Sequence, residues 1–479
     1  MNRVQLITYP DSLGGDLKGL YDTLDKHFAG LFPGGIHILP PFPATGDRGF
    51  ATKTYFEIEP QFGDWDDIKK LAENGPIMLD LMVNHISKSC IYFYDFLEKG
   101  TESEYADLFL TLDKIWQDGE PVQEDIDKMF LRRVTPYSTY NGVKVWTTFG
   151  KEEPSEQVDM DIHSAVYKKL IKEIFENFAA KGVKYMRLDA IGYVIKKVGT
   201  SCFFVEPDIY EFLDEINALA KSLDMEILPE IHSHYSIQYS MAQRGFWVYD
   251  FILPYMVLEA IFDCDPTALA HYLKKRPPNQ FTMLDCHDGI PIKPDLDDLV
   301  SSDRAGAVVE KCVARGANLS KIVSEKHKSV DGFDVHQIRC SYYSMLGCCD
   351  DSYILARAVQ LFTPGIPQIY YVGLLAGEND NEAVKVTGEG REINRHNYTT
   401  KEIKEAVKKP VVQRLIKLVQ FRNSYEVFDG TFSAKVSDNS TLIMQWDKED
   451  KQATLTADFK TMHTTIHYLN KGEKVRLHV

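Results

Sequence analysis

The 479-residue chain lacks the features that mark nucleic-acid-binding, membrane-spanning or disulfide-framework proteins. Its 54 lysines and arginines stand against 70 aspartates and glutamates, a formal charge of −16 that on average repels nucleic acid and anionic membranes. An anionic substrate would therefore need a local basic site. No apolar run approaches the ~20 residues needed to span a bilayer. The opening MNRVQLITYPDS has one arginine and no extended apolar segment, so it does not read as a secretory signal. Eight cysteines (Cys90, Cys202, Cys264, Cys286, Cys312, Cys340, Cys348 and Cys349) form no CxxC pair, which reads as buried structural thiols in a reduced, cytoplasmic protein. Adjacent Cys348 and Cys349 have no partner ligands close in sequence, so no metal is expected. Internal repeats and low-complexity tracts are also missing.

What is present is an alternation of short apolar runs and amphipathic stretches. The runs VQLIT (4–8), GIHIL (35–39), IMLDLMVN (77–84), YMRLDAIG (185–192), EILPEIH (226–232), VYDFILP (248–254), FTMLDCHDG (281–289) and GIPQIYYVG (365–373) read as eight buried parallel strands. Residues 163–182 and 207–224 carry the helical period between them. The expected fold class is α/β, a TIM (β/α)8 barrel, although periodicity alone leaves a doubly wound sheet open. Residues 87–162 are polar, irregular and too long for a βα loop, and read as an inserted subdomain. A second insertion is expected over 290–350, with KPDLDD, helical material and the KHKSVDGFD loop. This leaves 1–86, 163–289 and 351–421 as the barrel, and period-two alternation over 422–479 indicates a small β domain.

Three acids stand at or just beyond strand ends: Asp189 two residues after Arg187, Glu230, and Asp288 after His287. One such acid is ordinarily a cap or a surface carboxylate. Three, on the fourth, fifth and seventh strands, would converge at a barrel mouth. Retaining glycoside chemistry needs one carboxyl to attack the anomeric carbon and another to protonate the departing oxygen, and a third can grip the sugar. Arg187 would keep the Asp189 carboxylate ionised, while Glu230 must begin protonated, so its surroundings should favour the neutral form. His85 and His287 offer neutral donors for sugar hydroxyls.

The stretches Asp80-Leu-Met-Val-Asn84-His85, Arg187-Leu188-Asp189, Pro229-Glu230-Ile231-His232 and Leu284-Asp285-Cys286-His287-Asp288, with Gln157-Val158-Asp159-Met160-Asp161, resemble the α-amylase family of glycoside-active enzymes. The resemblance implies Asp189 as nucleophile, Glu230 as acid/base and Asp288 as transition-state stabiliser. Gln5-Leu-Ile-Thr-Tyr9, Gly46-Asp47-Arg48-Gly49-Phe50, the 364–373 stretch and Gly390-Arg-Glu-Ile-Asn-Arg-His396 are most similar to its sucrose phosphorylase branch. That implies Asp47 and Arg395 clamping the glucosyl unit, Phe50 and Phe149 as its apolar walls, and Tyr193, His232 and Gln337 lining the acceptor side. The implied reaction passes through a covalent glucosyl-enzyme that inorganic phosphate intercepts, with no metal or organic cofactor.

Where plain sucrose phosphorylases read Asp-Leu-Tyr-Gln, this chain has Asp334-Val335-His336-Gln337. Together with Arg132 and Arg133 in the insert, and Lys326, His327 and Lys328 upstream, this resembles the sucrose 6′-phosphate phosphorylases, in which an insert arginine and a loop histidine bind the fructose 6-phosphate group. Arg133 and His336 are accordingly the expected fructose-phosphate ligands, although Arg132 and Arg133 are not separable by sequence. The expected partners are sucrose 6′-phosphate or sucrose and inorganic phosphate, with no nucleic acid or membrane, in a monomer or homodimer. Sucrose itself, glucosylglycerate, hydrolysis by water and a non-catalytic sugar-binding role stay open as alternatives.

Overall fold

The computed structural model describes residues 3–116, 118–322 and 333–479. Eight short strands fall where the apolar runs predict: β1 (Gln5–Thr8), β2 (Gly35–Ile38), β3 (Ile77–Met82), β4 (Val183–Asp189), β5 (Glu226–Pro229), β6 (Val248–Asp250), β7 (Gln280–Thr282) and β8 (Ile366–Tyr370). Most are buried at every position, which is why they read as continuous apolar runs and not as alternation. Their order, β6-β7-β8-β1-β2-β3-β4-β5, sets each strand beside its sequence neighbour except β5 and β6, which are the two ends, and sets β8 beside β1. That cyclic order belongs to a (β/α)8 barrel, since a doubly wound sheet reverses direction at a switch point.

The chain divides into two compact units. One comprises Met1–His37, His232–Lys321 and Phe333–Val479 and contains β1 and β6–β8. Beyond β7, the short strands Ile290–Pro291, Val335–Arg339 and Asn318–Lys321 form a small antiparallel sheet with Val335–Arg339 in the middle, and helix Ser302–Ala314 lies between them in sequence. Gly289 permits the approach, because a Cβ there would lie 2.6 Å from the Ile338 carbonyl oxygen. The unit ends in an antiparallel meander of β9 (Thr431–Asp438), β10 (Thr441–Lys448), β11 (Lys451–Asp458), β12 (His463–Asn470) and β13 (Glu473–Leu477). Alternate residues Leu442, Met444 and Trp446 face inward, and the Trp446 indole donates to the Phe362 carbonyl at 2.7 Å. The sheet starts at Thr431 and not near 422, because Pro410–Ser424 is a helix opened by its proline.

The other unit, built mainly from Ile38–Ile231, contains β3–β5 and helices Ala165–Ala180 and Asp208–Ser222. Ser164 caps the first of these by accepting from the Tyr167 amide. Within 87–162 lie helix Ile91–Lys99, the hairpin Tyr137–Tyr140/Val143–Trp146 and strand Gln157–Asp159, which pairs back onto His85–Ser87. Its Leu110, Leu112, Trp116, Met129 and Trp146 form one hydrophobic cluster with Cys202, with the two indoles stacked at 5.2 Å. No helix among the described residues is long and apolar enough to cross a membrane. Five cysteines are buried as expected, but Cys264, Cys348 and Cys349 are exposed.

Candidate active site

In the Ile38–Ile231 unit the strand register assembles an acidic centre around one guanidinium. β3 and β4 pair Asp80 with Arg187 and Met82 with Asp189, and β4 and β5 pair Leu188 with Pro229, so Glu230 follows directly. Arg187 is 2% exposed and pairs with Asp80, Asp189 and Glu230. Its Nη1 lies 3.0 Å from Asp189 Oδ1 and its Nη2 lies 2.8 Å from Glu230 Oε1, and Nη1 also donates to Asp80 Oδ1. Sequence pointed to the Arg187–Asp189 pair alone. The structure adds the buried Glu230 to the carboxyls that Arg187 contacts.

Aromatic and imidazole groups surround this centre. Arg187 lies over the Phe50 ring at 5.8 Å, and the Phe50 carbonyl is 3.2 Å from His85 Nε2. Burial pushes the His85 imidazole down to about 4, so it is neutral near pH 7. Phe149 meets His85 at 5.2 Å and Tyr193 at 5.0 Å, forming a continuous wall. Asp47 sits in a turn where Asp47, Arg48 and Gly49 all have positive φ. A Cβ on Gly49 would lie 2.6 Å from the Pro40 carbonyl oxygen, so only glycine allows this fold-back. Sequence reasoning missed Lys196, whose buried ammonium lies 2.6 Å from Asn84 Oδ1 and 2.8 Å from Asp159 Oδ2 and also donates to the Tyr193 carbonyl. Arg133 folds back onto the segment after Phe149, donating to Phe149 O (3.4 Å), Glu152 O (3.1 Å) and Glu153 Oε2 (2.8 Å).

The His232-containing unit carries the second centre, around Asp288. Arg391 Nε lies 3.3 Å from Asp288 Oδ1, Arg395 Nη2 4.0 Å from the same oxygen, and His287 Nε2 3.8 Å from Oδ2. Burial works against ionisation here, but the charges of Arg391, His287, His232 and Arg395 hold the Asp288 carboxyl well below the usual carboxylate range. Arg395 is locked by donating to the His287 carbonyl (3.0 Å), and it lies over the Tyr9 ring at 5.6 Å. Arg391 and Tyr9 belong to the stretches that carry the resemblance, yet only Arg395 was singled out from them. Asp285 is a framework residue, gripped by Arg357 with Nη2 2.8 Å from each carboxylate oxygen.

On the same unit His232 stacks on Phe251 at 4.2 Å and meets His336 edge-on at 6.4 Å. His336 and Gln337 are buried on the middle strand of the small sheet, where Gln337 pairs with Pro291. Lys326, His327 and Lys328 lie outside the described residues.

Eight parallel strands in cyclic order, with acids at or just beyond their carboxyl ends, define a (β/α)8-barrel enzyme architecture. Residues 5–261 match the family model described as the catalytic domain of alpha amylase. The chain belongs to the alpha-amylase family. It is 61% identical to a sucrose 6(F)-phosphate phosphorylase from Thermoanaerobacterium thermosaccharolyticum, over 99% of each chain. It is 41% identical to a sucrose phosphorylase from Streptococcus mutans, again over 99% of each. The crystal structure of a sucrose 6F-phosphate phosphorylase from Thermoanaerobacter thermosaccharolyticum superposes with a TM-score of 0.98 at 61% identity, covering 100% of this chain and 98% of that one.

Proposed function

We propose that this protein is a glycosyltransferase, a retaining phosphorylase that converts sucrose 6′-phosphate and inorganic phosphate into α-glucose 1-phosphate and fructose 6-phosphate. The observation that carries the chemistry is the pair Asp189 and Glu230, held from two neighbouring strands by the two terminal nitrogens of Arg187. A single guanidinium spanning both carboxyls supports the short separation of retaining enzymes, about 5 to 5.5 Å, over the wider gap that admits a water molecule.

In the first step Asp189 attacks the glucosyl carbon, the bond to the fructosyl oxygen breaks, and Glu230 gives that oxygen its proton. In the second, a phosphate oxygen attacks the same carbon, the proton of that phosphate passes to Glu230, and Asp189 leaves as a carboxylate, restoring the anomeric configuration and the starting enzyme. Asp288, held ionised by its cationic neighbours, opposes the positive charge that develops on the sugar ring. Phe50, His85 and Phe149 shape the glucosyl pocket, with Asp47 and Arg395 as its clamps. Tyr193, His232, His287 and Gln337 are assigned to the sugar contacts, and Arg133 and His336 to the fructose phosphate. The chemistry calls for no metal or organic cofactor.

The phosphorylated substrate is favoured by the 61% identity to a sucrose 6(F)-phosphate phosphorylase and by His336 in the Asp334-Val335-His336-Gln337 stretch. Sucrose is the second reading, favoured by the 41% identity to the Streptococcus mutans protein. Incubation with each sugar, with and without phosphate, separates the readings. Glucose 1-phosphate formed faster from sucrose 6′-phosphate is the expected result. Free glucose released at the same rate without phosphate would sink the phosphorylase assignment.

A further inference from the structure

His232 and His336 share one backing segment, residues 292–295. The Ile292 amide donates to the His336 carbonyl at 2.9 Å, and His336 Nδ1 lies 2.7 Å from the Lys293 carbonyl oxygen. A carbonyl only accepts, so the proton sits on Nδ1 and Nε2 is the atom offered to a ligand. Two residues later comes Asp295, whose carboxyl is fully buried. Neither of its oxygens has a hydrogen-bond partner among the described residues, and Oδ1 lies 3.7 Å from His232 Nδ1.

A buried carboxylate without hydrogen bonds is costly to fold, and it survives only where something compensates it. Burial pushes the Asp295 carboxyl up, and the His232 imidazole opposes that push. One face of the His232 ring is covered by Phe251, a stacking contact that sets the ring plane but not the tautomer. Nothing in the proposed chemistry uses Asp295.

We infer that Asp295 is a positioning residue that holds the proton of His232 on Nδ1, as the Lys293 carbonyl does for His336, so that one segment presents two imidazole Nε2 atoms to the departing sugar. The identity of that sugar rests on the proposed function; the tautomer does not.

The test is nitrogen-15 NMR of histidine-labelled full-length protein, together with kinetics of Asp295→Ala and Asp295→Asn. In the wild type, His232 should be protonated at Nδ1. In Asp295→Ala that tautomer should be lost, and KM for sucrose 6′-phosphate should rise roughly tenfold with kcat within about twofold. Asp295→Asn keeps an acceptor and should restore most of both. A wild-type His232 protonated only at Nε2 overturns the inference without recourse to any variant. So does equal loss in the Ala and Asn variants with a lowered unfolding midpoint, which would assign Asp295 to packing. Failure of the functional reading would look different: no glucose 1-phosphate from the wild type, with the tautomer unchanged.

Discussion

The two carboxylate centres solve opposite charge problems. Around Arg187 one guanidinium serves Asp80, Asp189 and Glu230. Around Asp288, Arg391, Arg395, His287 and His232 surround one carboxylate, although Arg395 is shared with Glu392 and His232 with Asp295. The acid-rich centre divides one cation among three carboxyls, which in the proposed reaction leaves Asp189 available as the nucleophile. The cation-rich centre keeps its carboxylate ionised and gives a protein of charge −16 a place where anions are tolerated.

The sharpest way to break this contrast is Asp189→Asn. With the attacking carboxylate gone, turnover should fall by about 10⁴-fold, while the protein stays folded because Arg187 retains Asp80 and Glu230. Phosphorolysis within tenfold of wild type would remove Asp189 as nucleophile. Next in size is Arg187→Met, which takes the guanidinium away from the fully buried Asp80. Urea unfolding should record a loss of about 3 to 5 kcal/mol, the cost of leaving one member of a buried pair uncompensated. A loss below about 1 kcal/mol would mean that water or another donor supplies Asp80, and that the single-cation description of this centre is wrong.

Histidines sharpen the contrast further, because His85 in the acid-rich unit is neutral. Its folded value of about 4 lies below the unfolded value near 6.5, so the unfolded chain binds more protons between the two. The stability that His85 contributes is complete above pH 6.5 and is lost as pH falls toward 4. Between pH 7 and pH 5 this amounts to about 2 kcal/mol, which His85→Gln should lack when the two proteins are compared by urea unfolding. Asp288 is silent in that interval, since a depressed carboxyl gives up its contribution only as pH falls below its unfolded value of about 3.9. An identical pH slope in His85→Gln would contradict the neutral buried imidazole.

The eight strands were legible because burial on both faces leaves uninterrupted apolar runs, and Asp189, Glu230 and Asp288 were legible because they stand at or just beyond the ends of those runs. Partnerships across strands were harder to read. That Arg187 reaches Asp80 depends on the β3–β4 register, and that it reaches Glu230 depends on β5, neither of which is encoded in local spacing. Arg391 was passed over beside Arg395 because both lie in one polar stretch, and only folding shows which nitrogen reaches Asp288. Asp295 read as an ordinary member of KPDLDD, since burial of one acid in a charged run leaves no local signature. That the Arg133 guanidinium reaches the Phe149 carbonyl is likewise a long-range contact that local spacing does not encode.

The smallest expected effect tests what the cation-rich unit does for the leaving group. His336 already donates from Nδ1 to the Lys293 carbonyl, so a second proton on Nε2 would make it a cation aimed at a ligand. A phosphate on that ligand gains a charge-assisted hydrogen bond, whereas a plain hydroxyl gains an ordinary one. His336→Gln should therefore raise KM for sucrose 6′-phosphate about tenfold and KM for sucrose about twofold, with kcat little changed. Arg133→Gln should act in the same direction but less strongly, because Glu153 at 2.8 Å already competes for that guanidinium. Equal rises for both sugars would show that these residues bind the furanose ring or shape the loop, and the cation-rich unit would lose its role in choosing the substrate.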